Sequence, residues 1–172
     1  MGLYKDAENS RLADCFPAVA DWPINKTSEA DGIYNCFAYV AGDTNIQWAP
    51  FVIPVPGYYW PTPVTQEQEN TIQPFLQGYK TLGFEGCEDG SIEEGYEKIV
   101  LYVDGNDVPR HAAIQRIGGM WQSKLGPDID VSHSLESLAS HERFEWKGYG
   151  YPKYFMKRKK VLSPILVPPS RS

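Results

Sequence analysis

The apolar positions of this chain change period about halfway along it. In the first half, Ile72, Phe75, Leu76 and Tyr79 recur at i, i+3, i+4 and i+7, the spacing of one buried helical face. Thr65-Gln66-Glu67-Gln68 ahead of them has the form of a capping box, and Gly83 stands beyond their end. A helix is therefore predicted from about 65 to 82, with Pro74 imposing a kink or a break. A shorter apolar run, Cys36-Phe37-Ala38-Tyr39-Val40-Ala41, lies between Asn35 and Gly42 and predicts a helix over 35–42 closed by a left-handed glycine. From Gly95 onward the pattern is that of strands, expected at 96–103, 111–117, 120–124 and 149–158. Turns are expected at Asp104-Gly105-Asn106-Asp107, at Gly126-Pro127-Asp128, and at Gly118-Gly119, a two-residue hairpin signal. A short helix is expected at 133–139. Helices first and antiparallel strands later predict an α+β domain.

The remaining segments carry punctuation rather than period. Residues 1–14 are polar and expected to be loose, and residues 15–35 read as a long loop with turns at Trp22-Pro23 and Asp31-Gly32. Trp48 to Pro63 holds Pro50, Pro54, Pro56 and Pro61, too many for a regular element, and predicts an ordered loop packed by its own aromatics. A single domain is expected over 15–160, followed by a proline-bearing tail, 161–172, that dangles.

Composition narrows the choice of partner. The 172 residues suffice for one domain with a sizeable core. A formal net charge of −6 argues against nucleic acid, since phosphate binding wants a basic face. The local exception is Lys147, Lys153, Lys157, Arg158, Lys159 and Lys160, read as a solvated edge strand kept soluble by its lysines. Three cysteines exclude a complete disulfide framework, although Cys15 and Cys87 could pair and leave Cys36 free. Met1-Gly2-Leu3-Tyr4-Lys5-Asp6 leads into polar residues rather than an apolar signal core, and no stretch is long enough to cross a bilayer. A cytoplasmic protein without membrane contact is the expectation, with export by a dedicated secretion system compatible with it. The Cys and His residues lack the short spacings of a zinc site. There is no phosphate loop, dinucleotide fingerprint or serine-hydrolase elbow, so neither metal nor cofactor is expected.

The chemistry-bearing residues are Cys36 and His111. A thiol in the first turn of a helix sits at the positive end of the macrodipole, which favours the nucleophilic thiolate. His111 opens the strand-like run His111-Ala112-Ala113-Ile114 well downstream. A helix-borne Cys followed by a strand-borne His is the chain order of thiol hydrolases. His111 would take the Cys36 proton, Cys36 would attack an amide or ester carbonyl, and the Cys36 N–H would help hold the oxyanion. The residue that orients the imidazole stays open among Ser123, facing His111 across the hairpin, Asp130, Asp128 and Gln115. Asn35, Trp60 and Gln115 are the candidate substrate-binding residues, and the Trp48–Trp60 loop would wall the cleft.

Several motifs resemble a known family. They are Trp22-Pro23-Ile24, Tyr34-Asn35-Cys36-Phe37-Ala38-Tyr39 through Ala41-Gly42-Asp43, Tyr59-Trp60-Pro61 and Leu82-Gly83-Phe84-Glu85, followed by Gly95-Tyr96-Glu97-Lys98-Ile99 and His111-Ala112-Ala113 with Gln115. Trp121-Gln122-Ser123-Lys124-Leu125-Gly126, Asp130-Val131-Ser132-His133 and Tyr149-Gly150 complete the set. Over about residues 16–158 the chain resembles the DUF7689 domain proteins, a family without an established activity. At the level of fold it is also similar to the papain-like NlpC/P60 and CHAP cysteine amidases and peptidases. That similarity implies a papain-like domain with N-terminal helices packed on a small antiparallel sheet. It also implies Cys36 as nucleophile, His111 as base and the Ser123 position as orienter. Those amidases carry His, Asn, Asp or Glu where Ser123 stands, which moves attention to Asp130. The function so implied is a cysteine hydrolase acting on a peptide or another amide-containing substrate. A non-catalytic binding module using the aromatic loop, and an acyl transferase, are the alternatives.

Overall fold

The computed structural model describes residues 7–140 and 147–161. Its centre is a strand whose sequence is apolar at successive positions, Ile99-Val100-Leu101-Tyr102-Val103, all buried. Such a run is expected of a strand covered on both faces. This strand, β5 (Tyr96–Val103), pairs antiparallel with β6 (Pro109–Gln115) on one side and β9 (Tyr151–Lys159) on the other. Among the described residues the sheet continues through β7 (Trp121–Lys124), β8 (Asp130–His133) and β1 (Asn25–Ser28) at one edge and ends at β4 (Glu85–Cys87) at the other. Every pairing in this seven-stranded sheet is antiparallel. The domain is thus α+β, mostly antiparallel sheet with few helices.

Helices α2 (Cys36–Ala41) and α3 (Gln73–Lys80) cover one face, where Val40, Phe75 and Tyr79 meet Ile99, Leu101, Ala112 and Ile114. The other face is covered by α1 (Ala7–Cys15) and the short turns that follow it. There Phe16, Leu12 and Leu138 meet Val100, Tyr102, Ala113, Trp121 and Val131. The alternation along β6 therefore sorts its side chains. Ala112 and Ile114 face α2, while His111, Ala113 and Gln115 face the α1 side.

Several expectations need correction. Residues 7–15 form a helix rather than a loose end, and the loop after it contributes edge strand β1. Thr65 and Gln68 do form a capping box, but it caps only a single 3-10 turn, Gln66–Gln68. Pro74 does not kink a long helix. It stands in the first turn of α3, where its missing N–H has no partner to lose. The predicted face is in place, with Ile72, Phe75 and Tyr79 buried and Leu76 packed beside them. Gly118-Gly119 is not a two-residue hairpin. Both lie in a longer turn closed by Arg116 N–H donating to the Met120 carbonyl at 2.7 Å, with both glycines at positive φ. The helix expected at 133–139 is the end of β8 followed by one turn, Glu136–Leu138.

The lysine-bearing strand β9 is not an edge. It lies between β5 and β4, and three of its cations meet acids: Lys153 with Asp107, Lys157 with Glu93 and Arg158 with Glu97. Cys15 and Cys87 are both free thiols. The tail from 162 onward lies outside the described residues.

Candidate functional site

Cys36 stands where the sequence places it, at the first position of α2. Asn35 caps the helix with extended backbone, its Oδ1 accepting from Ala38 N–H at 3.0 Å and from Trp48 N–H at 3.2 Å. Its Nδ2 donates to the Trp48 carbonyl at 2.8 Å. The Asn35 amide is thus consumed in tying α2 to the following segment rather than offered to a substrate. Gly42, at φ +79°, closes the helix as predicted. The thiol itself is buried, and burial pushes its pKa up to about 12 against the pull of the Ala112, Phe37 and Cys36 backbone groups near it. At neutral pH this is a thiol, not a thiolate, because loss of hydration penalises the anion more than a six-residue helix can repay.

His111 occupies a different environment. Its ring stacks on Tyr149 with centroids 4.0 Å apart and planes 4° apart, and meets Tyr102 edge-on at 5.6 Å. It is fully buried, and neither ring nitrogen has a hydrogen-bond partner among the described residues. Burial, with a smaller contribution from neighbouring His133, holds it well below the ordinary histidine range. Cys36 and His111 do not hydrogen-bond. The helix carrying the thiol packs on the Ala112 and Ile114 face of β6, whereas the imidazole joins the Tyr102 and Tyr149 cluster on the opposite face.

The other predicted residues are likewise distributed over both faces. Ser123 lies on the His111 side, but its hydroxyl pairs with His133 Nε2 at 2.7 Å. His133 Nδ1 lies 2.8 Å from the Ser134 carbonyl. A carbonyl can only accept, so Nδ1 carries the proton and the Ser123 O–H donates to Nε2. Asp130 pairs across the sheet with Lys124 and faces α2, where its Oδ2 accepts from Ser28 at 2.6 Å and from Tyr34 at 3.1 Å. Burial and this carboxylate push the Tyr34 phenol up to about 12. Gln115 donates to the Gly90 carbonyl at 2.6 Å. Asp128 lies at the surface turn, bridged to Arg11. His133 and Lys124 were missed as partners, and the available signal was register. Ser123 and His133 share a face across β7 and β8, and Lys124 shares the other with Asp130.

The two buried histidines set an acid limit on stability. His133 is depressed to about 4, mainly by burial. Both rings are neutral when folded, while the unfolded chain takes up protons below about pH 6.5. Stability is therefore complete above that pH and falls as acid is added, on the order of 1.4 kcal/mol per pH unit for each histidine. Urea unfolding followed from pH 7 to pH 5 is expected to show a falling midpoint, with the slope reduced in His111→Phe. A midpoint indifferent to pH over this range would refute the assignment.

The exposed chemistry lies elsewhere, on the aromatic loop. Nine successive residues, Phe51-Val52-Ile53-Pro54-Val55-Pro56-Gly57-Tyr58-Tyr59, are all exposed. The loop is anchored from behind. Strands β2 (Gln47–Trp48) and β3 (Tyr58–Tyr59) pair in parallel, and Trp48 is buried with its Nε1–H on Asp43 at 2.9 Å. Tyr59 meets Trp48 edge-on at 5.1 Å, and Phe51 meets Tyr58 at 5.1 Å. Trp60 lies on α3, 5.1 Å from Phe75, with its indole N–H on the Pro74 carbonyl. Gly78 makes room for it, since a Cβ there would come within 2.6 Å of the indole. A cavity of about 540 Å³ opens between Phe51, Pro54, Tyr58, Tyr59, Trp60 and Pro63. A second, about 350 Å³, shares Phe51 and Val52 with it and is bounded by Ile53, Gln66 and Glu69.

Among the described residues no three His, Cys, Asp or Glu side chains converge as a metal site, and no helix is long and apolar enough to cross a membrane. No curated protein and no solved structure matches the chain. A family model does, over residues 25–157, the span from β1 to late β9 that builds the whole sheet and both helices of the α2 face. The chain belongs to that family, described as a domain of unknown function, DUF7689.

Proposed function

We propose that this domain is a binding module whose recognition surface is the loop over residues 49–64. The observation that carries the reading is a run of exposed apolar side chains held in place by buried aromatic contacts. Apolar surface left open to water is unfavourable by about 25 cal/mol per Å², and a rigid patch of it is a common mark of a partner site. Trp48 and Trp60 anchor the loop in the core, Tyr59 rests on Trp48, and Phe51 and Tyr58 pack on each other at the exposed end. Rigidity also lowers the entropic cost of association.

Selection of displayed random peptides on the immobilised full chain tests this. Enriched peptides are expected to lose affinity tenfold or more on a Phe51→Ser, Tyr58→Ser double variant of unchanged thermal stability. Failure to enrich any peptide, or equal binding to the variant, would refute the reading.

A papain-like cysteine hydrolase is the second reading. What supports it is that Cys36 opens a capped helix and its thiol sits at the backbone of Ala112, the residue next to His111. It requires an ionised thiol. Iodoacetamide is expected to alkylate exposed Cys15 quickly at pH 7 and Cys36 at least a hundredfold more slowly, with no change in His111→Ala. Fast Cys36 labelling that slows in His111→Ala would instead restore the hydrolase as the leading reading.

A further inference from the structure

The loop surface has a donor and acceptor character that narrows its occupant. The wall contains Pro54, Pro61 and Pro63, and each removes an N–H that an added strand would need at that point. A partner pairing as a β-strand would leave its own carbonyls unmatched at those three positions. The wall instead presents aromatic faces and side-chain hydroxyls. Tyr58 and Tyr59, both exposed, supply them. Hydroxyls can donate to carbonyls, and aromatic faces pack against pyrrolidine rings. A polyproline II segment supplies both, since its carbonyls are free, its prolines lack N–H groups, and its conformation is largely set before binding.

Charge completes the description. From Thr44 to Tyr79 the chain contains no Lys, Arg or His, and its charged residues there are Glu67 and Glu69. Glu69 borders the second cavity, which continues the first through Phe51 and Val52. Adjoining apolar cavities with an acid at one end fit an extended segment with a cation at the matching end. An anionic membrane surface would be repelled by the same acids.

Resting on the binding-module reading, we infer that the loop groove binds an extended proline-rich peptide with a flanking Lys or Arg. The prolines lie against Tyr58, Tyr59 and Trp60, and the cation lies near Glu69.

The probe is acetyl-Arg-Pro-Leu-Pro-Pro-Leu-Pro-amide, titrated calorimetrically into the full-length chain. Saturable binding is expected, with Kd on the order of 10–100 µM for so short a segment. Tyr58→Ser is expected to weaken it at least tenfold, and Glu69→Gln about threefold with loss of salt dependence. Substituting alanine for the prolines is expected to abolish binding. No saturable binding, equal affinity of the alanine peptide, or indifference to Tyr58→Ser would overturn the inference. If selected peptides bind the loop but lack proline, the inference fails while the binding-module reading stands.

Discussion

Gly150→Ala is expected to destabilise the domain by more than about 3 kcal/mol, a large share of the roughly 5–15 kcal/mol that holds an ordinary single domain folded. Two independent costs combine at this position. Gly150 has φ +85°, a conformation side chains rarely adopt, and a Cβ built on it would lie 2.0 Å from the Val103 carbonyl oxygen. The obstruction is backbone at the end of the central strand, so no side-chain rotation relieves it. Gly150 is also held on both sides, its N–H on Ser140 Oγ at 2.9 Å and its carbonyl accepting from Ser140 N–H at 2.7 Å. It stands immediately before β9, the strand that pairs with β5 along most of its length. Displacing it therefore disturbs the sheet rather than a surface turn. Chemical denaturation compared with the wild type checks this, and a loss under 1 kcal/mol would refute it.

The second large effect is expected at Lys124. This side chain is fully buried, its ammonium donating to the Asp128 carbonyl, 3.9 Å from Asp130 Oδ1 and 4.6 Å from the centroid of the Tyr34 ring. Lys124→Met keeps the apolar stem and removes the charge. Asp130, itself buried, is then left, among the described residues, with the Ser28 and Tyr34 hydroxyls, which are neutral donors. Losing one partner of a buried pair costs about 3–5 kcal/mol, most of it the penalty of the uncompensated charge. Adding Asp130→Asn to Lys124→Met is expected to recover part of the loss, because the amide needs no counter-charge. Urea unfolding of the two single variants and the double variant gives the coupling directly. Additive losses in the double variant would mean that the two side chains do not act as a pair.

Much of the domain was legible in local sequence. The apolar run of β5 read as a strand because both its faces are covered. Asn35 and Gly42 bounded α2, since capping is a short-range matter of side-chain and backbone geometry. The prolines between Trp48 and Pro63 forbade a regular element, and the loop is largely irregular. Short-range signals failed where tertiary pairing overrode them. Glu85–Cys87 and Asn25–Ser28 are polar, brief and without alternation, and they are strands only because β9 and β8 present open edges to them. Pro74 carried a helix-start signal as well as a helix-break signal, and only the packed structure distinguishes the two.

The candidate site divides along the same line. By itself the sequence determined that Cys36 begins a helix, that His111 lies on a strand, and that aromatic and proline residues crowd one loop. Those are properties of residues and their near neighbours. Tertiary structure alone decided which face of the sheet α2 covers, and with it that Cys36 and His111 point to different sides. It also decided that His133, not His111, receives the Ser123 hydroxyl, and that the loop's apolar side chains stay in water. Alternation along a strand assigns residues to two faces, but what comes to rest on each face depends on distant parts of the chain.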